Sequence, residues 1–66
     1  MKIEIEREDD GRWIAEIPEL PGFMVYGATH EQAISKAEEL ALRVLADRLD
    51  HGEEILELKE VFTVAA

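Results

Sequence analysis

The sequence predicts an α+β domain: a three-stranded antiparallel meander, one long helix packed on one face of the sheet, and one final strand, in the order β-β-β-α-β. Three observations carry that expectation. Two period-two stretches flank Asp9-Asp10-Gly11; a turn rich in proline and glycine leads into a short third strand; and an apolar stripe at spacings of three and four runs from about His30 to about His51.

Lys2 to Glu8 places Ile3 and Ile5 on one side and Lys2, Glu4 and Glu6 on the other, the pattern of a strand with one buried face. Asp9-Asp10-Gly11 suits a hairpin turn, since glycine adopts positive φ without penalty. The return strand, Arg12 to Ile17, puts Trp13, Ala15 and Ile17 on a common face. Pro18 and Pro21 each fix φ and remove a backbone donor, so pairing should stop there, and Gly22 lets the chain reverse. In the third strand Met24 and Tyr26 alternate with Phe23 and Val25. Both sets are apolar, which leaves its inward face open. Gly27 ends that strand.

Thr29 and Gln32 have the spacing of a capping box at the start of the helix. Ala33, Ile34, Ala37, Leu40, Ala41, Val44 and Leu45 form its apolar stripe, and the alanines permit a close approach to the sheet. Leu42 lies off the stripe, as an exposed apolar residue or part of an interface. Gly52 is placed to close the last turn in a left-handed conformation, with His51 near the negative end of the helix dipole. Glu53 onward reads as a connector and a strand from about Leu58 to Val64, with Phe62 and Val64 on one side and Val61 and Thr63 on the other. A helical crossover of this kind places the last strand parallel to a neighbour.

Sixty-six residues make a single domain, 1–66, of a size that is marginal when isolated. With no cysteine, disulfides cannot add stability, and a cytoplasmic location and homo-oligomerisation, as a dimer or higher, are expected. Neither a membrane span nor a leader is expected. Sixteen acidic residues against seven basic ones give a net charge of −9. That balance disfavours direct binding of nucleic acid, whose phosphates call for Lys and Arg. A basic protein partner suits it better, although acidity also serves solubility alone.

If the helix covers one face of the sheet, the other carries Lys2, Glu4, Glu6, Arg12, Ile14 and Glu16, with Val61 and Thr63 nearby. Apolar residues among carboxylates form a patch that another chain could cover. Glu4, Glu6, Ile14, Glu16 and Tyr26 are therefore the candidate partner-binding residues, with Tyr26 either on this face or capping the end of the sheet. Trp13 reads as core from its phase, or as an anchor for a partner.

The stretches D-G-R-W-I-A-E-I-P-E-L-P-G and G-A-T-H-E-Q-A resemble the HicB-like antitoxin family. The matching positions are Gly11, Trp13, Ala15, Pro18, Leu20, Pro21, Gly22, Gly27, Thr29, Glu31 and Ala33, and the likeness runs from Met1 to about Leu49. The resemblance implies a partial ribonuclease-H-like fold and a non-catalytic antitoxin domain that covers a small basic, mRNA-cleaving HicA-like toxin. Full-length members add a C-terminal DNA-binding segment. Only the first domain is expected within these residues, so autorepression is not expected of them alone.

Two other readings compete with this one. The first is a standalone structural or small-ligand-binding oligomer of the same fold. The second is a degenerate metal-dependent nuclease using Asp9, Asp10 and Glu16, because two-metal nucleases cluster carboxylates. Aspartates in a hairpin turn have a backbone explanation, however. His30 and His51 stand at opposite ends of a helix about 30 Å long and cannot share a metal within one chain. No catalytic residue, cofactor or metal is therefore expected.

Overall fold

The computed structural model describes residues 1–20 and 22–65. Strands β1 (Glu4–Arg7), β2 (Trp13–Glu16) and β3 (Met24–Gly27) form an antiparallel sheet in the order β1-β2-β3. Helix α1 (His30–Asp50) packs on one face, lying chiefly over β3 and β2 and reaching β1 least.

The first hairpin follows from its loop. Glu8 and Arg12 close a three-residue connection through a bond from the Glu8 N–H to the Arg12 carbonyl, 2.7 Å. The Gly11 N–H returns to the Glu8 carbonyl, and Gly11 itself sits at φ +89°, a conformation open to glycine at no steric cost. In the second connection the Leu20 N–H donates to the Ile17 carbonyl and the Phe23 N–H to the Leu20 carbonyl, with Gly22 at φ +81°. Leu20 is buried there. The fixed φ expected of Pro21 lies outside the described residues.

Both ends of α1 are capped. The Gln32 N–H donates to Thr29 Oγ1 at 3.0 Å, and Gln32 Oε1 accepts the N–H of Ala28, one residue before the cap, at 2.6 Å. At the other end the Gly52 N–H bonds to the Leu49 carbonyl and the Glu53 N–H to the Arg48 carbonyl, a Schellman closure with Gly52 at φ +82°. His51 Nδ1 lies 2.8 Å from the Asp47 carbonyl oxygen.

Ala33, Ala37, Ala41 and Leu45 are the buried stripe of α1, and the three alanines are set against Ala15, Ile17 and Leu20. Gly27 explains why the helix start sits so close to the sheet. A Cβ at Gly27 would strike the main-chain nitrogen of Ala33 and lie 2.8 Å from its Cα. Trp13 is half-buried at the rim of this core, its ring edge-on to His30 with centroids 5.0 Å apart and Arg7 above it at 5.9 Å.

The end of the chain departs from the expected order. Leu58–Val61 forms a short helix, α2, not the start of a strand, and the Phe62 N–H closes it onto the Leu58 carbonyl at 2.8 Å. Phe62 is extended (φ −118°, ψ 133°), but no described residue after Gly27 joins the sheet. The expected final strand over Leu58–Val64, parallel to a neighbour, is thus corrected to a helical turn followed by an unpaired extended end. Leu58 and Val61 stand three apart, a spacing one helical turn satisfies locally, whereas a strand requires a partner edge. Val61 consequently leaves the neighbourhood of the outer sheet face and lines a groove beside β1. No helix among the described residues is long and apolar enough to cross a membrane.

Candidate protein-binding face

The face of the sheet turned away from α1 is assembled by strand register. Glu4 lies opposite Glu16 and Glu6 opposite Ile14; on the other side of β2, Ile14 lies opposite Tyr26 and Glu16 opposite Met24. Two parallel rows result, Glu4–Glu16–Met24 and Glu6–Ile14–Tyr26. All five candidate residues, Glu4, Glu6, Ile14, Glu16 and Tyr26, therefore meet on one surface.

Ile14 is buried at the centre, although no helix covers it. Glu4, Glu6 and Glu16 surround it in a shallow depression of about 230 Å³. None of these three carboxylates has an ion-pair partner among the described residues. Glu4 and Glu16 stand directly across from one another, an arrangement of like charges that costs stability in the isolated sheet. A cation brought to this surface would relieve the repulsion, so the arrangement suits an incoming Lys or Arg.

The end of the face near the hairpin is different in sign. The Arg12 guanidinium lies 4.6 Å from the Tyr26 ring centroid, and its Nε is 2.7 Å from Asp10 Oδ2. Asp10 Oδ1 also accepts the main-chain N–H of Arg12 at 3.0 Å. These bonds, the main-chain one first, hold the Asp10 carboxyl below the usual carboxylate value. Tyr26 stays 40% exposed beneath Arg12, which places it on the face and not at the end of the sheet.

The carboxylates of the nuclease reading do not converge. Asp9 and Asp10 occupy the hairpin at one end of β2 and Glu16 the other end, and Asp10 is engaged by Arg12. Among the described residues, no group of three or more His, Cys, Asp or Glu is placed to hold a metal ion.

Met24, 50% exposed in the first row, is the member that the sequence reading left open. Its facing is decided by the contact of Gly27 with Ala33. A glycine in phase with Val25 that admits the helix backbone forces Val25 inward and Met24 and Tyr26 outward. Comparison with protein-family models, with curated proteins and with solved structures returns no match to this chain.

Proposed function

We propose that this chain is a non-catalytic binding module that covers a small basic protein with the outer face of its sheet. The resemblance to HicB-like antitoxins supplies the class of partner, a cationic mRNA-cleaving toxin acting in the cytoplasm. The observation that carries the reading is the set of unpaired carboxylates Glu4, Glu6 and Glu16 around the apolar centre of Ile14, with Tyr26 exposed beside it. Carboxylates presented at cross-strand spacing can occupy positions that RNA phosphates would take on such a toxin. An apolar centre ringed by charge also matches the anatomy of a specific interface.

The test is co-expression with the neighbouring open reading frame, followed by affinity measurement across ionic strengths. A basic partner should co-purify, and its affinity should fall as salt rises. Glu16→Lys separates binding from folding. It turns the Glu4–Glu16 repulsion into an attraction, so the domain should gain about 0.2–1 kcal/mol in urea denaturation. Binding of the partner should weaken by at least about tenfold, because a like charge now faces the cation. A variant that gains stability and binds unchanged would remove the outer face from the interface.

A further inference from the structure

We infer that two copies of this chain pair by exchanging their C-terminal ends, residues 62–65 of each adding to the free edge of β1 in the other. The end of the chain has the chemistry of a strand without the pairing of one. Phe62, Thr63 and Val64 are strand-forming residues, the backbone is extended at Phe62, and Val61, Phe62 and Val64 are 70%, 68% and 92% exposed. The molecule is correspondingly long, 50 × 22 × 15 Å with a radius of gyration of 13.9 Å. A compact chain of this length would have a radius of about 11 Å.

The receiving edge is also present. The sheet order leaves β1 unpaired on one side, and an unpaired edge is a template for another strand. Just before the start of β1, Met1 and Ile3 face Leu42 and Leu45 of α1 across a groove of about 410 Å³, whose other wall is the copy's own segment from Glu57 to Phe62 and which also carries Glu38 and Glu60. A strand added to β1 would turn alternate side chains to the helix side of the sheet, beside Ile3 and Ile5. The four residues 62–65 match the four of β1 in length.

Charge selects this mode of association over apposition of the outer faces. Each copy carries −9, and stacking two outer faces would set Glu4, Glu6 and Glu16 of one against the same residues of the other. Residues 61–66 contain no charge and can approach β1 without that cost. Reciprocal exchange closes a two-fold dimer and covers both β1 edges at once.

Light scattering coupled to size exclusion on the full chain should give twice the 7.5 kDa chain mass at high micromolar concentration. Val64→Glu alters a side chain that the single copy leaves in solvent, so the monomer keeps its fold by circular dichroism. The dimer dissociation constant should nonetheless rise at least about tenfold. In a mixture of isotope-labelled and unlabelled copies, Val64 methyls should show intermolecular contacts to Ile3 and Leu42. A monomer at every concentration overturns the proposal, as does a dimer indifferent to Val64→Glu or one whose Val64 contacts are all intramolecular. The exchanged strand would lie beside Glu4 and Glu6 of β1, so the oligomeric state is measured with no other protein present and its outcome is read separately from binding of a basic partner.

Discussion

Gly27 shows how one missing methyl group fixes the geometry between layers. Its φ is not positive, so nothing about its own backbone demands glycine. The demand comes from Ala33, whose main chain occupies the space a Cβ would need. Gly27→Ala should therefore push the helix start off the sheet and cost about 1–3 kcal/mol, read as a lowered midpoint in urea. Asp10 makes a different kind of local prediction. Its depressed pKa means that its bonds to Arg12 help the folded state at neutral pH and are lost as pH falls through that lowered value, below the usual carboxylate range. A carboxyl-carbon NMR titration should find the midpoint low. Arg12→Ala should recover only part of the shift, because the main-chain N–H at position 12 remains and is the larger cause.

At the scale of elements, α1 depends on its ends as well as its stripe. Thr29 accepts the Gln32 N–H, so Thr29→Ala should cost about 1 kcal/mol, with Thr29→Ser close to neutral, in the same denaturation assay. Caps, hairpin loop and the alanines of the stripe were legible in the sequence because each is decided within a few residues, whereas Leu40, expected in the stripe, is exposed. Thr29 and Gln32 are three apart, Asp9 to Gly11 close their own loop, and the alanines recur at one face. Four of the five residues of the candidate face were legible for the same reason, since alternation alone assigns Glu4, Glu6, Ile14 and Glu16 to one side; Tyr26 was not, because it depends on the facing of β3. Two things were not. The facing of β3 rests on the contact between Gly27 and Ala33, which are in different elements. The segment after Ile55 satisfies period two and a single helical turn equally well, and Leu58–Val61 took the turn, which needs no distant partner.

At the scale of the whole molecule, alanines with Ile17 and Leu20 hold sheet and helix together, while several large apolar side chains stay outside that core. Among the described residues, four alanines are buried alongside Ile14, Ile17, Leu20, Leu45 and Ile55, and no large side chain is completely buried, yet Leu42, Leu56, Phe62 and Val64 are exposed. That distribution is unusual for a self-sufficient domain of this size and is what makes association with a second chain the economical reading. A strand added to β1 would border the outer face at Glu4 and Glu6, so a basic partner and a second copy would meet along one edge of the fold. Finally, the strand order β1-β2-β3 has a kinetic corollary. Each pairing joins neighbours along the chain and the helix follows directly, so collapse of one copy requires no long loop closure and should finish quickly regardless of concentration. Only docking of residues 62–65 must wait for an encounter, which makes it the bimolecular step of refolding.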